Sequence, residues 1–330
     1  MCDSCEPTRN VSIATAGRLI RPSRRDPTNT TAIQRQLLRA IVRRVNRLDR
    51  SVRNLIVNED AFGLQNTSPL ATNTRFAFET DAGKVQAFRD WLVEQINLGV
   101  LEVDPSNAAA PWLSQFVTNT YRRAATDAYI RSLPGIPQSS EFFAGGQAEF
   151  LRQSFNSPVV LDRIELLATR AFEQLRGITS QISSELNRIF SDGIAQGSNP
   201  RVIARTITDR IDTIARGRAV TLARTEIVHA YAEGSLDSFE RLGIQEVGAL
   251  VEWSTAGDDR VCPQCQPLDG VVFTIAQARG LIPLHPNCRC AWVPFLDNRE
   301  NNRTRGRTNP NNRRRVAAIR RSRTAGATIS

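Results

Sequence analysis

The sequence predicts an α+β protein: mainly α-helical N-terminal and middle regions, then a small β-containing, Cys/His-rich C-terminal module. Apolar residues recur at three- and four-residue spacing from residue 31 to about residue 242, the signature of buried helix faces. After Gly243 that period gives way to short β-branched and aromatic runs bounded by turn signals. Four of the six cysteines, and one of the two histidines, crowd into residues 262–290.

The 330 residues suffice for about two domains. With 41% hydrophobic and 23% charged residues, wholesale disorder is excluded. No run approaches the ~20 apolar residues of a membrane span, so no membrane is expected. MCDSCEPTRN has no apolar stretch of the secretory kind. The net charge of +10 is uneven. Residues 1–50 hold 11 Arg against four acids and residues 297–330 hold 10 Arg against two, so a mildly acidic body carries two basic ends. Lys84 is the only lysine. Arginine binds phosphate and carboxylate in a bidentate manner.

Residues 1–30, with Pro22 and Pro27, read as an extended basic arm. A helical domain is expected over 31–150. Thr31 and Gln34 fit a capping box. Leu38, Ile41, Val45, Leu48, Val52 and Leu55 then form an apolar seam, interleaved with Arg39, Arg43, Arg44, Arg47, Arg50 and Arg53. That helix either packs on its own domain with a solvated arginine face or docks another subunit. A second helix fits 82–98, with Val85, Phe88, Leu92 and Ile96 on one face and Gly99 as its stop. A third runs from Leu113 through Val117, Tyr121, Ala124 and Ala128 to Pro134-Gly135. Residues 134–157 read as a loop-rich connector.

Long helices occupy 151–243. Ser157-Pro158 opens one that stops near Gly197. Pro200 opens the next, marked by Ile203, Ile207, Ile211 and Ile214, and a further helix covers 218–242. Strands are expected at Val247–Trp253, at Val271–Ile275 after the Asp269-Gly270 turn, and at Ala291–Phe295, within a module spanning 244–296. Residues 297–330, rich in Asn and Arg, should be disordered unless bound.

The C-terminal cysteines read C-x2-C-x19-H-x2-C-x-C. A tight C-x2-C turn presents two thiolates to one ion, and a second knuckle completes a four-coordinate site. Five donors compete for four positions: Cys262, Cys265, His285 and Cys288 are the expected set, with Cys290 as the alternative ligand. Soft thiolates with an imidazole favour zinc, worth roughly 10 kcal/mol or more to folding such a module. The competing chemistry is a disulfide from Cys262 or Cys265 to Cys288 or Cys290, or simple burial. Cys2 and Cys5 are half a site only.

Three segments together resemble the phage Mu F-like minor head proteins, also called phage head morphogenesis proteins. They are Trp253 through Asp258-Asp259-Arg260-Val261-Cys262-Pro263-Gln264-Cys265, then Leu268-Asp269-Gly270, then Pro283-Leu284-His285-Pro286-Asn287-Cys288-Arg289-Cys290. The upstream Ala223-Arg224-Thr225-Glu226 and Ala230–Gly234 fit the same family. The resemblance covers about 200–296. It implies a virion protein inside the head near the portal vertex, in several copies, assembled in the host cytoplasm and aiding procapsid assembly. The implied partners are portal protein, major capsid or scaffold proteins and packaged DNA. A DNA role for the Arg/Asn tail comes from its charge, since the tail lies outside the motif.

Enzymatic readings fit less well. Glu226 and His229 at i, i+3 are half of a di-iron pair, and no second Glu-x-x-His exists. Asp258 and Asp259 beside a closed Cys/His site have no open metal position to act through. The alternatives to a head protein are a zinc-dependent, nuclease-like enzyme and an ADP-ribosyltransferase-like module using Arg224, Ser254-Thr255 and Glu226, which lacks a Glu-x-Glu. No Walker or dinucleotide motif is present. The expectation is that the chain is not an enzyme.

Overall fold

The computed structural model describes residues 26–65, 80–103, 111–133, 141–242 and 250–295, with positions 317 and 321. The arm before residue 26, Cys2 and Cys5, the Pro134-Gly135 break and nearly all of the tail lie outside the described residues.

Helix α1 spans Thr31–Arg53 and buries Leu37, Ala40, Ile41, Val45, Leu48 and Val52. The seam is as read, except that Leu37 rather than Leu38 faces inward. The helix packs into its own domain, against the same core as α5 and α6 below. Its cap differs from the expected Thr31–Gln34 box. The Asp26 carboxylate accepts from the Thr31 N–H at 3.0 Å and its hydroxyl at 2.7 Å, while Gln34 donates to Thr30 Oγ1 at 3.0 Å. Burial alone would raise the Asp26 pKa, but the Thr31, Thr28 and Thr30 donors outweigh it and hold the carboxyl below its ordinary 3.8. A depressed folded value stabilises above the ordinary pKa and is lost as pH falls through the folded value. Asp26→Ala should therefore cost about 1 kcal/mol near neutral pH. Urea midpoints measured at descending pH should show that cost beginning to shrink near pH 3.8 and disappearing below the lower folded value; a constant cost would deny the carboxylate its capping role.

Helix α2 spans Asp81–Ile96 and buries Phe88, Trp91, Leu92 and Ile96. Gly99 does not stop it. The chain continues through a wide turn over Asn97–Leu101 and ends at Glu102, which is left-handed with φ 49°. Arg44 and Arg47 of α1 each hold the Glu102 carboxylate at 3.0 Å, so charge from a distant helix sets this terminus. Helix α3, Pro111–Ser132, buries the expected Leu113, Val117, Tyr121, Ala124 and Ala128.

The expected connector over 134–157 is corrected: residues Glu141–Phe155 form helix α4. Gly146, at φ 66°, kinks it rather than ending it. The aromatic residues decide the outcome. Phe150 stacks on Tyr129 of α3 with centroids 5.6 Å apart and meets Phe142 edge-on at 5.3 Å.

Helices α5, Pro158–Ala195, and α6, Pro200–Arg241, have 38 and 42 residues. The two helices expected over 200–242 are one. Gly217 costs a helix interior roughly 1 kcal/mol, but Ile214, Ala215, Ala219, Leu222 and Ala223 continue the buried face across it. From Glu226 to Phe239 α6 is buried almost all round. Gly234 is needed there: a Cβ would lie 3.0 Å from Ala124 Cβ and 3.1 Å from the Tyr121 ring on α3.

The C-terminal module is an antiparallel sheet in the order β2-β1-β3, formed by Leu250–Ser254 (β1), Val272–Thr274 (β2) and Ala291–Phe295 (β3). A single helical turn, α7, covers Ile275–Ala278. Trp253 pairs with Trp292 across β1 and β3, and the two indoles meet edge-on at 5.2 Å. One hydrophobic cluster joins α1, α2, α3, α5 and most of α6; a second joins α3, α4, the end of α6 and the sheet. The module is further tied to the helices by charge. Arg279 pairs with Glu233, Asp237 and Glu240 of α6. The Gly280 N–H donates to Glu233 at 2.8 Å. Asp237 also receives the Tyr121 hydroxyl and lies 3.3 Å from Arg163 of α5.

Candidate metal centre

Two turns face each other beyond the strand ends. In the first, the N–H groups of Cys265 and Gln266 donate to the Cys262 carbonyl at 3.1 and 3.0 Å. The Cys265 N–H also points at Cys262 Sγ, 3.3 Å away. In the second, the Cys288 N–H donates to the His285 carbonyl at 3.1 Å, and Asn287 takes a left-handed conformation at φ 62°. Asn287 is moored to α6, its N–H donating to Thr225 Oγ1 at 3.1 Å. The turns are clamped by Arg289, whose guanidinium grips the Asp258 carboxylate at 2.8 and 2.6 Å. The Arg289 bonds hold the Asp258 carboxyl well below its ordinary value. Asp258 thus serves the scaffold, not a water-activating position beside an ion.

The five expected donors gather in two adjoining groups rather than at one point. Cys262 Sγ lies 2.9 Å and Cys265 Sγ 3.3 Å from His285 Nε2. Cys265 and Cys288 sulfurs are 4.0 Å apart, close to the roughly 3.8 Å edge of a tetrahedron with 2.3 Å zinc–sulfur bonds. The donors form two triads sharing Cys265, one with Cys262 and His285 and one with Cys288 and Cys290, each with its ligand atoms within 4.8 Å of one another. Beside them is a recess of about 30 Å³, lined by Cys262, Cys265, His285 and Cys290 among others. That exceeds the ~10–15 Å³ that a single water needs.

The imidazole is oriented for ligation. His285 Nδ1 lies 2.8 Å from the Pro286 carbonyl. A carbonyl only accepts, so Nδ1 carries the proton and the Nε2 lone pair faces the sulfurs. Cys265, Cys288 and Cys290 are buried, while Cys262 and His285 are half-buried and mark the open side. All four cysteines are free thiols, so none of the considered disulfides is formed. Hydrogen bonding to Cys288, then to Cys290, and burial push the Cys265 thiol up, whereas the Cys265 and Cys290 donors push Cys288 down. An electron-rich set of this chemistry fits a thiophilic cation such as zinc.

The other residues considered for chemistry are dispersed. Glu226 is buried and paired with Arg170 of α5 at 3.1 Å, with His229 Nδ1 4.0 Å away. Thr255 donates its N–H and hydroxyl to Asp269. Among the described residues no hydrogen bond or ion pair joins Arg224 or Glu226 to Ser254 or Thr255. The sequence reading missed the Asp258–Arg289 clamp and the Thr225–Asn287 mooring. The only available signal was their presence within the motif itself.

The module thus sets two facing cysteine and histidine turns on a three-stranded sheet seated against a long helix. Residues 184–293, one third of the chain, match the family of phage Mu protein F like proteins. The resemblance read from the motifs is borne out over that segment, which takes in the end of α5, all of α6 and the module as far as Val293 within β3. An uncharacterized protein of Haemophilus influenzae is 28% identical over 149 residues, covering 44% of this chain and 32% of that protein. The chain therefore matches about a third of that relative's length. No solved structure matches the chain. Among the described residues no helix is long and apolar enough to cross a membrane.

Proposed function

We propose that this chain is a minor capsid protein of a tailed bacteriophage, acting in head morphogenesis inside the head near the portal. The family match over the Cys/His module carries this reading. In it the protein is a structural part with no catalytic residues. It contacts portal protein and major capsid or scaffold proteins in several copies per particle, and reaches packaged DNA through its arginine-rich ends. A structural zinc would be held by Cys262, Cys265 and His285 with Cys288, the 4.0 Å sulfur contact favouring Cys288 and the recess favouring the alternative, Cys290. When bound, the ion would tie the two turns together through four protein ligands. Cryo-EM of particles assembled with and without the gene product tests the assembly role. Aberrant or empty heads and lost density near the portal are expected; normal heads of unchanged density would overturn it.

Helix α1 supports the DNA contact with geometry. Arg35, Arg39, Arg43, Arg50 and Arg53 are exposed along it and have no ion pair among the described residues. At 1.5 Å per residue the row is about 27 Å long. Like charges four residues apart destabilise a helix by a few tenths of a kcal/mol per pair, a cost that a phosphate backbone would remove. Each phosphate neutralised adds about 0.9 to the slope of log K against log salt. Arg39→Ala with Arg43→Ala should therefore lower the slope for duplex DNA by about 1.8, read by fluorescence anisotropy between 50 and 200 mM salt. An unchanged slope would remove α1 from the contact.

A further inference from the structure

Thr225 and Glu226 of α6 also line a second recess, which meets the thiol cluster at His285. A groove of about 930 Å³ runs between α5, α6 and the loop Gly280–Pro286. One wall follows α6 along a four-residue row from Thr213 to His229, about 24 Å of helix.

Two features make the groove receptive. Gly177 on α5 and Gly217 on α6 both line it, and a Cβ at either would meet nothing within 4 Å. The helices therefore show bare backbone to the groove, and that space is not taken up by their own packing. The apolar lining comes from Ile178, Ile214, Leu222 and Leu284. The charge is one-sided. Glu226 is neutralised by Arg170, whereas Arg218 is exposed and has no ion pair among the described residues.

A slot 24 Å long matches about 16 residues of α-helix, and ridges of a third helix seat in the groove between two others. Arg218, the one unpaired charge among the described lining residues, selects a carboxylate on the flank of that helix. The chain's own ends are arginine-rich and carry the wrong sign. We propose that the α5–α6 groove docks an acidic amphipathic helix of a partner protein, its apolar face on Ile178, Ile214 and Leu222 and a carboxylate against Arg218.

The test uses the full chain and two labelled synthetic 18-residue helices, identical in a leucine face but flanked by Glu in one and Lys in the other. Fluorescence anisotropy at 150 mM salt should show the Glu peptide binding at least tenfold more tightly. Gly217→Leu, which fills the groove from a helix position open to a side chain, should weaken that binding tenfold or more without lowering the melting temperature. Arg218→Glu should reverse the preference between the peptides. Equal binding of the two peptides, or an unchanged affinity in Gly217→Leu, would overturn the proposal. So would binding of ATP, but of neither peptide, to the same groove. The duplex DNA slope of the wild type is read separately, so a failed groove leaves the head-protein reading standing.

Discussion

Cys265→Ser should abolish stoichiometric zinc binding and unfold the C-terminal module. Cys265 is the one donor common to both triads, and its sulfur touches both His285 and Cys288. Structural zinc contributes roughly 10 kcal/mol or more in small folds, and the small sheet otherwise depends on the core and ion pairs that it shares with the helices. The expected result is a fall from one zinc per chain to none, by elemental analysis of reduced protein. Residues 250–295 should lose amide protection while α1, α2 and α5, which pack in the other core, keep theirs. Cys288→Ser and Cys290→Ser then divide the fourth position: the ligand's variant loses the ion and the other retains it. Reduced wild type without bound zinc, or a Cys265→Ser variant that keeps both ion and protection, would refute the metal centre.

Asp237→Ala should destabilise the chain by roughly 2–3 kcal/mol, less than the about 3–5 kcal/mol of a fully buried pair, because its partners Arg163 and Arg279 stay partly exposed. Asp237 joins three elements, receiving the Tyr121 hydroxyl from α3 and pairing with Arg163 of α5 and Arg279 of the module. Without it two guanidinium groups and a buried phenol lose an acceptor together. Burial, with Asp237 beside it, already pushes the Tyr121 hydroxyl far above its ordinary value, so the phenol stays a donor at any ordinary pH. Urea unfolding provides the measurement. Asp237→Asn, which keeps an acceptor of the same shape without the charge, should fall between wild type and Ala. A loss below 1 kcal/mol for Asp237→Ala would show that the network only decorates the apolar contact.

Much of this was legible because burial leaves a period. The faces of α1, α2 and α3 and the bounds of α5 were read to within a residue or two, and β3 over its full length, because apolar side chains repeat where a helix or strand meets a core. The gathering of four cysteines and His285 was equally legible, since a tight turn brings together cysteines with two residues between them. Terminators were read less well. Gly99 looked like a stop, yet the chain turns on through it to Leu101, and the break expected before residue 218 is absent. A glycine lowers helix stability by an amount that a few buried neighbours exceed, and those neighbours are known only from the fold. The Asp26 cap was missed because it lies five residues before the group it receives, outside the usual box.

Local order set the classes: helices first, then a small sheet, two arginine-rich ends, and a cluster of soft donors in the segment that matches phage Mu protein F like proteins. Contacts between residues far apart in the chain decided the rest. They fused two expected helices into α6, made a helix of the expected loop at 141–155, assigned Asp258 to Arg289 and opened the groove at Gly177 and Gly217. The physical reason is that periodicity records whether a side chain is buried, whereas partner and vacant space depend on where other elements pass, and no short stretch of sequence holds that information.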